Sequence, residues 1–536
     1  MHIPRRIILL FLGLIFVAGA PEVRSQNRAS DSAPVPTASP EVSLQDAQHF
    51  FRTGKFDAAI QAYTQLETGP QAVFAYTGLT RAYLRKKDPN DAYAAAAKAV
   101  EIAPNVPDAK VAMGEAYFRQ GKIPEAEAQF VSVINSGAEN ARAYLGLARV
   151  SQTISLYHRE KQMIDKAREL DPADPDITRF WMGTLTLAER IKALQSYLAQ
   201  ETDDDDEART ALQRQLIILQ GEPTVPAHQC RMVSKISSTT TDLIELLDSP
   251  TRLRGYGLNV KFNGTSARLL LDTGAGGILI DHKLAEKAGV EHVVESSIRG
   301  IGDKGAAGSY VGHVDKIQIG DIEFADCNIQ VADQSSVIGG DGLIGGMVFS
   351  RFLVDINMPD RKLLLSELPR RPDETATEVS LESGQERTPH FSDRYIAPEM
   401  KAYTPIFRIN HMLLIPTKLN GSVTKLFLID TGAFNNIISP DAAREVTKVS
   451  DDPRMHVKGI SGSVKNVYTG DELTLAFAGL RQRNQDIVAI DMKGISDGAG
   501  TEISGTLGFA MLRFLDLKID YRDDLVSFFY DSKRAH

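Results

Sequence analysis

The stretch Leu269-Leu270-Leu271-Asp272-Thr273-Gly274-Ala275 returns later in the chain as Phe427-Leu428-Ile429-Asp430-Thr431-Gly432-Ala433. In each copy an apolar strand runs into Asp-Thr-Gly-Ala and a second apolar run follows, Ile278-Leu279-Ile280 in the first and Ile437-Ile438 in the second. The glycine lets backbone approach a carboxylate closely, and the threonine hydroxyl is free to hydrogen-bond to another loop. One Asp-Thr-Gly alone marks no more than a turn. Here the match extends further. Arg299-Gly300-Ile301-Gly302 lies twenty-eight residues past the first aspartate, and Lys458-Gly459-Ile460-Ser461-Gly462 lies twenty-nine past the second. Gly342-Leu343-Ile344-Gly345 and Gly505-Thr506-Leu507-Gly508 then each precede an Arg-Phe-Leu triplet, at 351–353 and 513–515. Four features in one order define a duplicated lobe.

Around these lobes the sequence alternates with a period of two, as in Gly257-Leu258-Asn259-Val260-Lys261-Phe262-Asn263-Gly264, so this half is expected to be mainly β. A charged segment rich in Pro, Ser and Thr, Arg370 to Glu399, separates the copies. The whole chain has 536 residues, more than one hydrophobic core supports, so three or more domains are expected. With 43% hydrophobic and 24% charged residues it is neither disordered throughout nor a multi-span membrane protein. The net charge of -9, thinly spread, argues against a nucleic-acid partner.

Upstream the period is helical. Gly54-Lys55-Phe56 with Ala59 and Tyr63 is echoed by Gly121-Lys122-Ile123 with Ala126 and Phe130; Ala82-Tyr83 and Ala116-Tyr117 are 34 residues apart, and Pro104 and Pro172 are 68 apart. This pattern resembles the tetratricopeptide repeat family, in which small residues such as Ala59, Gly114 and Ala126 let paired helices cross closely and aromatics fill the gaps. Helical sequence continues to Gln220 across the acidic run Asp203 to Asp206, which reads as a solvated junction. The repeats imply a protein or peptide partner that their own residues do not name.

At the N-terminus, His2, Arg5 and Arg6 precede an apolar or small run from Ile7 to Ala20, then Val23-Arg24-Ser25. The run is too short for a membrane span, which needs roughly twenty apolar residues, so cleavage near Ser25 is expected, with an uncleaved anchor as the alternative. Residues 26–43, with Pro34, Pro36 and Pro40, read as a flexible tether. Only Cys230 and Cys327 are present; the sequence leaves open whether they pair or whether Cys327 is a packed thiol. The expected organisation is a signal peptide at 1–25, a linker at 26–43, an all-α repeat solenoid at 44–220, two mainly-β lobes at 233–368 and 400–532, and a linker at 369–399. No cofactor and no metal site are expected. No nucleic-acid partner and no span after signal cleavage are expected either, and the exported chain belongs in the periplasm or outside the cell.

The paired motifs resemble the aspartic peptidases, and the Ala after each Gly, with the short lobes, resembles retropepsins and their bacterial relatives more than pepsin. That resemblance covers roughly 250–368 and 405–530. It implies that Asp272 and Asp430 are the catalytic pair, supported by Thr273, Gly274, Ala275, Thr431, Gly432 and Ala433. It further implies that Gly300 to Gly308 and Gly459 to Ser463 are flaps over the substrate, with Gly300, Ile301, Gly302, Gly459, Ile460 and Gly462 in contact with it. Ile344-Gly345 and Leu507-Gly508 would underlie the active loops. Two carboxylates about 3 Å apart share one proton, giving one acid and one base to activate water for peptide hydrolysis. This chain departs from the family in lacking an aromatic at either flap tip and in joining its lobes through a long charged linker. Two alternatives follow from the same residues: a silent protein that only binds peptide in the cleft, or lobes that pair between two chains. The repeat solenoid is expected to fold alone and to be dispensable for cleaving short peptides.

Overall fold

The computed structural model describes residues 42–200, 206–220, 230–333, 340–372 and 392–533. The expected signal peptide, most of the first tether and much of the inter-lobe linker lie outside them.

An N-terminal helical region of tetratricopeptide type is followed by a mainly-β region. Its helices run from Leu44–Arg52 to Asp206–Gln220, each packing on the next. Their starts are set by local chemistry. Ser43 and Asp46 form a capping box, Asp88, Asn140 and Asp174 cap with their side chains, and proline opens Pro89–Ile102, Pro107–Arg119 and Pro175–Gly183. The small residues allow the close crossings that the sequence implied. Phe130, 1% exposed, lies against Gly114 and Gly146, where an added Cβ would come within 2.6 and 2.5 Å of its ring. An alanine at either position would force the helices apart.

The two β lobes are built alike. In the first, strand Thr265–Asp272 lies between antiparallel Arg252–Phe262 and parallel Gly342–Gly345, with Gly345 opposite Asp272. In the second, Val423–Asp430 lies between antiparallel Met412–Leu419 and parallel Gly505–Gly508, with Gly508 opposite Asp430. Gly345 and Gly508 are obligatory: a side chain there would overlap the carbonyls of Ala275 and Asn435 in the loops above.

A six-stranded sheet bridges the lobes. At its centre Phe352–Asn357 of the first lobe pairs antiparallel with Leu515–Asp520 of the second, Val354 opposite Ile519. Buried Val354, Ile356, Leu517 and Ile519 belong to a core continuous through both lobes. Thr239–Asp242 forms one edge of this sheet. Strand Arg231–Met232 adds to Ile322–Ala332, ahead of residue 233 where the sequence places the lobe's start. Cys230 and Cys327 form a disulfide there, closing the question the sequence left open and removing Cys327 as a free thiol.

The helical region is not a detached module. Val111, Ile123, Phe130, Val133 and Leu147 share one core with Met412, Leu414, Leu426, Leu428, Ile437, Val488 and Ile490 of the second lobe. Around this core Arg119 pairs with Asp497, and its carbonyl accepts the Glu502 N–H at 2.8 Å. The Thr501 hydroxyl donates to the Phe118 carbonyl at 2.5 Å. A second seam is polar. Asp524, fully buried, binds the Arg408 guanidinium at 2.7 Å and the Ser155 hydroxyl, and Arg394 N–H donates to the Ser155 carbonyl at 2.7 Å. The second lobe's sheet buries its outer apolar face under these helices, so the helical region and the second lobe share a core that the sequence did not indicate.

Candidate active site

Each Asp-Thr-Gly-Ala loop leaves its strand at the lobe boundary and meets the other within one chain. Asp272 and Asp430 are brought side by side. A Cβ on Gly274 would lie 3.0 Å from the Asp430 carboxyl carbon, and one on Gly432 would overlap the Asp272 carboxyl. The two glycines therefore leave the space in which the carboxyls sit. The threonines interlock beneath. Thr273 and Thr431, 1% and 3% exposed, each accept the other's backbone N–H, at 3.1 and 3.0 Å. Each hydroxyl donates at 2.7 Å to the residue before the opposite aspartate, Thr273 to Ile429 and Thr431 to Leu271.

Both carboxyls are half-buried and resist ionisation. Burial pushes Asp272 well above the usual carboxylate range, and the neighbouring Asp430 charge adds to the shift. Burial also raises Asp430, but the Ala433 and Gly432 N–H groups, each 2.9 Å from its Oδ1, pull the other way. Asp272 Oδ1 accepts the Gly274 N–H at 2.8 Å. The pair titrates as a unit, and its donors are unequal: two N–H groups reach Asp430 Oδ1 and one reaches Asp272 Oδ1.

The candidate flap residues also meet. The Ser461 hydroxyl accepts the Gly300 N–H at 3.1 Å, Ser461 N–H donates to the Ile301 carbonyl at 2.9 Å, and Lys304 N–H donates to the Ser461 carbonyl at 2.9 Å. The Asp303 carboxylate accepts the Lys465 N–H at 2.7 Å. Gly300, Ile301, Gly302, Gly459, Ile460 and Gly462 are therefore all in a clasp between the lobes. A side chain on Gly302 or Gly459 would overlap the opposite strand. Ile460 also packs with Ala275, Leu246 and Ile298 against a small apolar cluster around Leu270 and Leu279.

Three neighbours of the pair were not identified from the sequence. The charge of Arg254 acts on Asp272, Tyr521 is buried close enough to feel the Asp272 charge, and His411 packs against Gly276. Arg254 and His411 occupy related places. Arg254 stands three residues before Gly257, which pairs with Leu270, and His411 stands three before Leu414, which pairs with Leu428. Superposing the two copies through those strands would have exposed the correspondence, but the flanking sequences share no identity there. Among the described residues, no group of three or more His, Cys, Asp or Glu side chains is gathered to hold a metal ion.

Residues 258–348 and 415–510 match the aspartyl protease family model, and residues 83–150 match a tetratricopeptide repeat model. A solved thermophilic tetratricopeptide-repeat protein of Thermus thermophilus is 18% identical at a TM-score of 0.28, the match covering 32% of this chain and 97% of that one. No curated protein matches the chain.

Proposed function

We propose that this chain, which joins two aspartyl-protease segments to tetratricopeptide repeats, is an aspartic-type endopeptidase with a single intramolecular Asp272/Asp430 centre. One observation carries the reading: the reciprocal hydrogen bonds of buried Thr273 and Thr431, which fix two half-buried carboxyls against each other across the lobe boundary.

The chemistry follows from the one proton that the pair shares, and the two N–H groups on Asp430 Oδ1 suit Asp430 to the ionised role. Ionised Asp430 draws a proton from a water held between the carboxyls, and the water oxygen attacks the peptide carbonyl. Protonated Asp272 hydrogen-bonds that carbonyl oxygen as negative charge develops on it. The tetrahedral intermediate then collapses. The C–N bond breaks, and the amine leaves with the proton that Asp430 had taken. The Gly300–Gly302 and Gly459–Gly462 segments clasp each other between the lobes, and in this reading they close over the backbone of an extended polypeptide. The helical region serves protein recruitment, and its fixed attachment to the second lobe gives it a constant position beside the cleft. An exported location fits the signal-like N-terminus and the Cys230–Cys327 disulfide. Among the described residues no helix is long and apolar enough to cross a membrane. The test is cleavage of a peptide library by the purified chain, with and without the hydroxyl-bearing inhibitor pepstatin. Cleavage that pepstatin abolishes supports the reading, and no cleavage between about pH 3 and 8 rejects it.

A further inference from the structure

The two Arg-Phe-Leu triplets, which the catalytic pair does not use, end differently. In the second lobe the Arg513 guanidinium lies over the Phe514 ring, 4.7 Å from its centre, and Phe514 is 41% exposed. In the first, Phe352 is buried in the core, and the side chain of half-buried Arg351 makes no ion pair or hydrogen bond among the described residues.

Arg351 lines a pocket of about 230 Å3 in the first lobe. Ile278, Ile317, Phe324 and Ile329, all buried members of the core, form its apolar wall. The Cys230–Cys327 disulfide closes one side, and Cys230 is exposed, which puts that side at the protein surface. Among the described residues of the wall, Arg351 alone carries a charge. The second lobe has no cysteine, so it cannot repeat this wall. The pocket also reaches the first active loop. Gly277, on its wall, continues that loop past Ala275, and the Gly277 carbonyl accepts the N–H of Gly345, the residue opposite Asp272, at 2.7 Å.

We propose that this pocket binds a small free acid, whose unbroken apolar chain lies along the buried isoleucines and Phe324 while its carboxylate pairs with Arg351. The size sets the class. A dry cavity of about 150 Å3 holds benzene, so this one takes roughly nine non-hydrogen atoms, a chain of about eight carbons with the carboxylate oxygens at the rim. The guanidinium presents a planar fork of donors that matches a carboxylate, and such charge-assisted bonds are stronger where apolar walls exclude water. A peptide end suits the pocket less well, because its amide groups would lie against walls that are mostly hydrocarbon.

The probe is octanoate, titrated calorimetrically into the full chain and into its Arg351→Gln variant, beside octan-1-ol, dodecanoate and N-acetyl-leucine. Arg351 holds no other described side chain, so the variant keeps the wild-type melting temperature. Octanoate is expected to bind one per wild-type chain and about tenfold or more weaker to the variant, whereas octan-1-ol binds the two alike. Dodecanoate, too long for the pocket, binds no tighter than octanoate, and N-acetyl-leucine binds more weakly. With octanoate bound, amide hydrogen exchange slows at Gly277, Ile278 and the turn Gly346–Phe349. Equal octanoate affinity in wild type and variant, no saturable binding at millimolar octanoate, or affinity that keeps rising to dodecanoate would overturn the site. Tighter binding of N-acetyl-leucine would give the pocket to a peptide end, and protection confined to other segments would place the acid elsewhere; either result also overturns it. None of these readouts uses hydrolysis, so the peptidase reading stands or falls separately.

Discussion

Thr273 and Thr431 exchange four hydrogen bonds across the lobe boundary, each hydroxyl accepting the other's N–H and donating to the carbonyl before the other's aspartate. Replacing either by valine keeps the shape but strands a buried N–H and a buried C=O. Each stranded group costs about 1–3 kcal/mol, and the carboxyls lose their mutual placement. Thr273→Val or Thr431→Val is expected to lower the melting temperature and to reduce kcat by about a hundredfold or more. Thr→Ser at either site, which retains the oxygen, should keep most of both. Equal damage by valine and serine would show that the methyl group and not the hydroxyl matters.

Removing the helical region is expected to cripple the enzyme even toward short peptides. A chain beginning at residue 230 would expose Met412, Leu414, Leu426 and Leu428, which the helices now bury. It would also lose the Arg119 and Phe118 contacts to Thr501 and Glu502, just ahead of strand Gly505–Gly508 beneath Asp430. Solubility, binding of a hydrophobic dye and peptide cleavage measure this. A soluble truncated chain with full activity on short peptides would show that the shared core is dispensable.

The pH dependence of stability should carry the mark of Glu160. Burial pushes this carboxyl up to about 7, and its hydrogen-bond partner is the neutral Gln152 amide at 2.8 Å. In the unfolded chain it titrates at its ordinary value. Between the two values the folded state holds the extra proton, so its contribution is full below about pH 4.5 and is lost as pH rises through about 7. The loss is on the order of 3 kcal/mol. Asp176 opposes it on the acid side. Burial alone would raise Asp176, but Arg142, Arg149, Arg179 and Arg85 together hold it far below the carboxylate range, so its contribution disappears only at strongly acidic pH. Glu160→Gln should therefore raise the melting temperature at about pH 8 and leave it nearly unchanged at about pH 5. A variant equally stabilised at both would disprove the buried-acid origin.

Ala275 and Ala433 stand where a hydroxyl side chain could hydrogen-bond the ionised carboxylate. Such a donor stabilises the anion and lowers the pair's apparent pKa values. With alanine in both places and burial raising both aspartates, the rate profile is expected to be a bell at mildly acidic pH. The Ala275→Ser/Ala433→Ser variant should shift both limbs toward acid, read as kcat/KM against pH. An unmoved or alkaline-shifted bell would assign the pair's protonation to the flaps or lobe closure.

What the sequence made legible was whatever it wrote twice. Asp272 and Asp430, the threonine bonds between them, the glycines at 300–302 and 459–462 and the supporting Gly345 and Gly508 all stood in matched order, and the structure brings each to the lobe boundary. The 34-residue period likewise pointed to paired helices, with Phe130 seated on Gly114. What occurs once was silent. His411 sits in an ordinary Asn-His turn whose meaning comes from the other lobe's loop. The apolar outer face of the second lobe looks like any buried strand face, because a strand pattern does not say what covers it. The Cys230–Cys327 bond depended on a strand pairing, Arg231 opposite Ala325, that no local pattern announces.

The central claim is that one chain holds one catalytic pair, and the direct measurement is peptide hydrolysis by Asp272→Asn, by Asp430→Asn and by a mixture of the two. Asparagine preserves shape but cannot share the proton. The intramolecular pair predicts that each variant falls below about one-thousandth of the wild-type rate while keeping its melting temperature within a few degrees, and that the mixture stays equally inactive. Wild-type rates in either variant, or activity restored on mixing, would contradict a single site built from Asp272 and Asp430 of the same chain.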